Sequence, residues 1–157
     1  VNTNTVYACG DFYMFKTTDG GMTWADLHFG GVWYFLVHPT SPETIYAGTS
    51  TGIYISSDGG ATWQASNSGL TANGNMVVFD IDINRTNSDH IYILCYTPPF
   101  GRGMYKSYDK GSTWKRLPFS FFAGRYLFYP QIIRVSPNGS VLYSGSGSGI
   151  YKFLLDF

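Results

Sequence analysis

Apolar and polar residues alternate along much of this chain in short runs, and the runs are broken by clusters of Gly, Pro, Asn and Ser. A period of two is the pattern of a half-buried strand, and the breaks are turn formers. Four runs share a Tyr-centred unit: Val6-Tyr7-Ala8-Cys9-Gly10, Ile45-Tyr46-Ala47-Gly48, Ile91-Tyr92-Ile93-Leu94 and Leu142-Tyr143-Ser144-Gly145. A further strand follows each, at Tyr13 to Thr17, Ile53 to Ser57, Met104 to Ser107 and Ile150 to Phe153. Another apolar run precedes the last three units, at Val32 to Val37, Val77 to Ile83 and Gln131 to Val135.

Between these strands stands a second repeated motif. It reads Thr17-Thr18-Asp19-Gly20-Gly21-Met22-Thr23-Trp24, then Ser56-Ser57-Asp58-Gly59-Gly60-Ala61-Thr62-Trp63, then Ser107-Tyr108-Asp109-Lys110-Gly111-Ser112-Thr113-Trp114. The common pattern is a hydroxyl residue, x, Asp, x, Gly, x, Thr, Trp, and it suits a tight hairpin turn. The Asp carboxylate accepts backbone N–H bonds and the Thr hydroxyl. Gly21, Gly60 and Gly111 supply positive φ, and Trp24, Trp63 and Trp114 open the next strand with large surfaces for burial.

Short strands in four-stranded groups, recurring every 40 residues or so, predict an all-β chain of β-propeller blades. The repeats fall at approximately 1–30, 31–70, 71–118 and 119–157, with three, four, four and three strands, so the first and last are incomplete. Incomplete blades leave unpaired edges. The expected partners are therefore the remaining blades of a propeller, or another protein chain, at both ends. The chain opens at Val1 inside what should be a loop, as a cut would leave it. It stops at Phe157 after a third strand, where a propeller completed by its other terminus would end. A self-closed ring of four blades is the alternative.

At the box residues the chain resembles the Asp-box, or bacterial neuraminidase repeat, propellers. That superfamily includes sialidases, xyloglucan-degrading hydrolases, sortilin-type receptors and a photosystem assembly factor. The stretch His38-Pro39-Thr40-Ser41-Pro42-Glu43-Thr44-Ile45-Tyr46-Ala47-Gly48, leading into Ser56 to Trp63, resembles repeats of the xyloglucanase-like and sortilin-like branch most. The resemblance implies the fold and says little of function, because the box in this superfamily is a structural turn remote from active sites.

Composition narrows the function classes. Charged residues make up 13% of the 157, and ten basic residues balance ten acidic ones without a run of either sign. That excludes the basic stripe nucleic-acid binding needs. Aromatics make up 18%, which argues against disorder, and no apolar run is long enough to span a bilayer. Cys9 and Cys95 fall two blades apart, too far for a disulfide, and read as separate buried thiols. The sequons Asn84-Arg85-Thr86 and Asn138-Gly139-Ser140 fall in predicted turns, accessible to a glycan, and support an extracellular or cell-envelope location.

Candidate chemistry is sparse. Glu43 is the only Glu and lies in a Pro-flanked turn. Asp80 and Asp82 alternate with Phe79, Ile81 and Ile83, so both carboxylates share one face of an innermost strand, roughly 6 to 7 Å apart. That spacing suits a glycosidase acid pair. The plainer reading is a satisfied Asp ladder on the channel wall, with Asp82 facing Arg134. The Arg-Ile-Pro signature that the resemblance would require of a sialidase is absent. His28, His38 and His90 are scattered without ligand spacing, so no metal site is expected. Gly145-Ser146-Gly147-Ser148-Gly149 reads as a strand-connecting turn, not a phosphate loop, and no cofactor is implied. The aromatic segment containing Phe119, Phe121, Phe122, Tyr126, Phe128 and Tyr129 packs onto the next blade or forms a contact surface for sugar or protein. These observations favour a non-catalytic extracellular propeller segment for binding, scaffolding or assembly. The alternative is a fragment of a secreted glycoside hydrolase acting on polysaccharide.

Overall fold

The computed structural model describes residues 4–10, 13–70, 76–97, 101–118, 131–147 and 149–155. They form four antiparallel sheets in which strands pair in chain order. Blade 1 holds β1 (Val6–Gly10), β2 (Tyr13–Thr17) and β3 (Ala25–Gly30). Blade 2 holds β4 (Val32–Val37), β5 (Ile45–Thr49), β6 (Gly52–Ser56) and β7 (Gln64–Ala65). Blade 3 holds β8 (Val77–Ile83), β9 (Ile91–Thr97), β10 (Gly101–Ser107) and β11 (Lys115–Arg116). Blade 4 holds β12 (Ile132–Val135), β13 (Val141–Ser146) and β14 (Gly149–Leu154). The all-β class and the three, four, four and three pattern agree with the sequence reading.

The apolar face of each sheet is buried against the next sheet. Met14, Val32, Ile45 and Ala47 join blades 1 and 2, with Phe29 stacked on Trp63 at 4.3 Å. Tyr46, Ile53, Ile81, Ile93 and Trp114 join blades 2 and 3. Tyr92, Leu94, Met104, Ile133, Leu142 and Leu155 join blades 3 and 4. The Gly that ends the Tyr-centred unit of blade 2 has a packing reason. A Cβ on Gly48 would come within 2.8 Å of the Val78 side chain, so only a residue without one lets β5 approach β8 this closely.

The two outward faces of the row remain open. On blade 1, Met22 is 82% exposed and Trp24 45%; on blade 4, Ile150 is 82% exposed and Leu154 55%. Among the described residues the sheets of blades 1 and 4 do not meet to close a ring. Trp24 departs from the expected burial: Trp63 stacks on Phe29 of blade 1 and Trp114 is buried against blade 2, whereas Trp24 is 45% exposed. The aromatic run from Phe119 to Tyr129 lies outside the described residues.

Candidate functional site

The innermost strands β4, β8 and β12 bring Tyr34, Asp80, Asp82 and Arg134 together. Asp80 is buried, and its oxygens are occupied. Oδ1 accepts the N–H of Ile81 at 3.0 Å. Oδ2 accepts the N–H of Ile133 at 2.7 Å and Nη1 of Arg134 at 2.7 Å. Asp82 repeats the arrangement one step along, accepting from the N–H of Ile83 at 2.9 Å and of Val135 at 2.7 Å. The two carboxylates thus do for β8 and β12 what a ladder of main-chain bonds does inside a sheet.

This arrangement corrects the expected pairing of Asp82 with Arg134. The main chain of β12 sets Ile133 against Asp80 and Val135 against Asp82, so Arg134 lies between the two levels. With Asp82 Oδ2 taken by Val135, the guanidinium turns to Asp80. Its Nη2 also donates to the Tyr34 hydroxyl at 3.3 Å, linking blades 2, 3 and 4 at the channel. Burial raises the Asp80 carboxyl above the usual range, against the pull of Ile133 N–H and Arg134. The Tyr34 hydroxyl is raised as well, by burial first and then by the Asp80 charge.

Immediately before Tyr34 and Asp80, two aromatic side chains occupy β-bulges. The register of β4 on β5 shifts between Val32 and Tyr34, and that of β8 on β9 between Val78 and Asp80. Trp33 and Phe79 are the extra residues, at equivalent positions of the two complete blades. A bulge re-aims the side chain of its extra residue. Trp33 is 49% exposed, and Phe79 lies under the Arg102 guanidinium, 4.3 Å from its ring centroid. Tyr96, 41% exposed, pairs across the strands with both Val77 and Arg102. The sequence reading missed both bulges and the exposure of Trp33 and Tyr96, because an unpaired residue leaves the apolar run looking continuous.

The three boxes share one hydrogen-bond scheme. In the second, Ser56 Oγ donates to Asp58 Oδ1 at 2.8 Å and accepts the N–H of Gly60 at 2.8 Å. Thr62 donates its N–H to Oδ1 and its hydroxyl to Oδ2, at 2.9 and 2.6 Å. Asp19 and Asp109 are bound in the same way by Thr17 and Thr23, and by Ser107 and Thr113. The leading hydroxyl thus bridges the Asp and the Gly, a role the motif left unassigned. Gly21, Gly60 and Gly111 have φ of 96°, 92° and 88°. The hydroxyl and N–H of Thr62 hold the Asp58 carboxyl well below the usual range, at about 2.

Other candidates fall differently from expectation. Cys95 is buried, its thiol pushed up to about 12 by desolvation, whereas Cys9 is exposed. His38 is buried with Nε2 3.3 Å from the Ser88 carbonyl and Nδ1 3.4 Å from the Thr40 N–H, which binds blade 2 to blade 3. Among the described residues no three His, Cys, Asp or Glu side chains cluster as metal ligands, and no helix is long and apolar enough to cross a membrane. Of the two sequons, Asn138 is exposed, but Asn84 is buried. Its Oδ1 accepts from the Thr86 N–H and hydroxyl, and its side chain fills the space where a Cβ on Gly139 would stand, so that turn is not open to a glycan.

Comparison with known proteins agrees with this architecture. A xyloglucanase from Hypocrea jecorina (strain QM6a) is 29% identical over 154 residues, which is 95% of this chain and 18% of that protein. The structure of an ancestral GH74 enzyme superposes with a TM-score of 0.72 at 22% identity, over 95% of this chain and 21% of that one. The GH74 enzyme of Niastella koreensis gives 0.69 at 23% identity, over 98% and 27%. The chain therefore spans about a fifth to a quarter of the length of these relatives, and the structural likeness is one of fold. The family described as "Sortilin, neurotensin receptor 3" matches residues 11–131, and with that match over most of its length the chain belongs to the Sortilin-Vps10 family of Asp-box propeller repeats.

Proposed function

We propose that this chain forms the wall of an extracellular polysaccharide-binding propeller of the xyloglucanase type. In that role it contributes binding surface and scaffold, while the hydrolytic acids lie outside the described residues. The observation that carries the reading is the pair of bulged aromatics at equivalent positions of the inner strands of blades 2 and 3, exposed Trp33 and Phe79 under Arg102, with exposed Tyr96 opposite Arg102. Flat rings beside a planar cation suit the apolar faces and hydroxyl edges of sugar rings. The likeness to a xyloglucanase supports a β-glucan as the ligand class. Asp80 and Asp82 are unsuited to acid–base work, because their oxygens already hold β12 in place. The exposed Asn138 sequon supports the extracellular location, and the open faces of blades 1 and 4 support contact with further polypeptide.

Titration of the chain with xyloglucan oligosaccharides, followed by calorimetry, tests this reading. Trp33→Ala is expected to weaken binding about tenfold, near 1.4 kcal/mol, with the melting temperature unchanged. Wild-type chain that binds no oligosaccharide, or a Trp33→Ala variant that binds as well as wild type, overturns it.

A further inference from the structure

The boxes align blades 1, 2 and 3 position by position, and the seam between blades 2 and 3 differs from the seam between blades 1 and 2. Three residues before the box Asp stand Lys16, Ile55 and Lys106, and three after the box Trp stand Leu27, Ser66 and Leu117. Immediately after the box Asp stand Gly20, Gly59 and Lys110. At the seam of blades 1 and 2 the long side chains close the contact. Lys16 Nζ donates to the Gly59 carbonyl at 3.2 Å, and Leu27 lies over Gly60. At the seam of blades 2 and 3, Ile55 and the Tyr46 ring lie over Gly111 instead, and the short Ser66 donates its hydroxyl to the Gly111 carbonyl.

The shorter side chains leave a cavity of about 480 Å³ between the two complete blades. Sites for small molecules run from about 300 to 1,000 Å³. Tyr46 and Ile55 give the cavity an apolar wall. Around it stand Ser41, Thr44, Ser57 and Gln64, whose side chains make no hydrogen bond among the described residues. Lys110 is the only Lys, Arg, Asp or Glu in the lining, and it holds its place against its backbone preference. Its φ is 56°, where the boxes of blades 1 and 2 have Gly at 75° and 69°. A residue with a side chain enters that region at a cost. The ion pair of Lys110 with Asp89 is 3.5 Å long, with both side chains more than half exposed, and a surface pair of this kind returns little. A residue kept in such a conformation points to a use for its side chain.

We propose that this cavity is a binding site for a small sugar acid, a hydroxyl-rich ring that bears a carboxylate. The Lys110 ammonium turns from Asp89 to the carboxylate, and no acidic side chain lines the cavity to repel it. The unpaired hydroxyls and the Gln64 amide meet the ring hydroxyls, and the wall of Tyr46 and Ile55 takes a ring face. A neutral sugar would leave the ammonium unused, and a simple anion would leave the wall and the hydroxyls unused. The site shares no residue with Trp33, Phe79, Arg102 and Tyr96, so it is independent of the β-glucan reading.

The other blades supply the variants that test this. Lys110→Gly installs the residue of the boxes in blades 1 and 2, and Ser66→Leu installs the residue that blades 1 and 3 carry there. The full chain is titrated with glucuronate, and with glucose and acetate for comparison, followed by NMR chemical shifts. Wild type is expected to bind glucuronate with a Kd of about 1 mM, at least about tenfold more tightly than glucose or acetate. Lys110→Gly should weaken glucuronate binding at least about tenfold while its melting temperature equals or exceeds that of wild type, since Gly accepts the positive φ. Ser66→Leu should abolish binding by filling the cavity. If Ser66→Leu fails to fold, Lys110→Gly decides alone. Wild type that binds no glucuronate up to about 20 mM overturns the proposal. So does glucose or acetate that binds as tightly, or either variant folded and binding glucuronate as wild type does. Titration of the same samples with xyloglucan oligosaccharides separates its failure from failure of the β-glucan reading.

Discussion

Replacing Asp80 by Ala should destabilise the fold whether or not a ligand is present. The substitution removes the acceptor of the buried Ile133 N–H and of the Ile81 N–H, and it frees Arg134. An unsatisfied buried N–H costs about 1–3 kcal/mol. The Arg134 side chain is 45% exposed and can turn to water, so its lost ion pair adds at most about 1 kcal/mol. Relief of the buried carboxylate's desolvation offsets part of this. The net expectation is a loss of about 2–4 kcal/mol, a large share of the roughly 5–15 kcal/mol of an ordinary domain. Asp80→Asn keeps one acceptor but sets an amide donor against the Ile133 N–H, and should cost about half as much. Urea unfolding followed by tryptophan fluorescence measures both. An Asp80→Ala chain within about 0.5 kcal/mol of wild type would refute the structural role, since surface substitutions without consequence fall in that range. So would an Asp80→Asn protein of native stability that had lost a hydrolytic activity toward polysaccharide.

Two further tests concern the turns. Gly20 and Gly69 both have positive φ, 75° and 86°, but a Cβ on Gly20 would meet open space, whereas one on Gly69 would overlap the Trp114 carbonyl oxygen. Gly20→Ala should therefore cost about 1 kcal/mol in thermal unfolding and Gly69→Ala several times more; equal losses would show that the blade 2 to blade 3 contact yields freely. The depressed Asp58 pKa means that its ionised form stabilises the fold at neutral pH, and this contribution is lost as pH falls from about 4 through about 2. Burial acts oppositely on Asp80, whose raised pKa makes ionisation cost stability as pH rises above the ordinary carboxylate value. The melting temperature should fall on acidification across the lower window and fall less in Asp58→Asn; a wild-type melting temperature flat from pH 4 to pH 2 would contradict the assigned hydrogen bonds.

The legible part of this fold was local. Box turns and Tyr-centred strands declare themselves because their requirements lie within eight residues: a hydroxyl, an Asp, a Gly at positive φ and a Thr. What depends on distant partners was not legible. The bulges at Trp33 and Phe79 are defined by the strand opposite, since Val32-Trp33-Tyr34 by itself reads as an unbroken apolar run. Arg134 chooses Asp80 over Asp82 through the offset between two inner strands more than fifty residues apart. Trp114 and Cys95 are buried where blade 2 packs on blade 3, and neither burial can be read from the residue's own strand.

The Tyr7 and Tyr46 hydroxyls each donate to a main-chain carbonyl of the next blade's box turn, that of Gly59 and that of Lys110, and this grip bears on how such a protein changes over time. Every residue type offers the same carbonyl, so the contact survives when the residue bearing it is replaced. Gly59 and Lys110 already fill the place with the smallest residue and a long cationic one. Neighbouring blades can therefore diverge in surface chemistry, and one can be duplicated or exchanged for another, without compensating change across the seam. Conservation is demanded only of the turn that aims the oxygen and of the phenol that meets it.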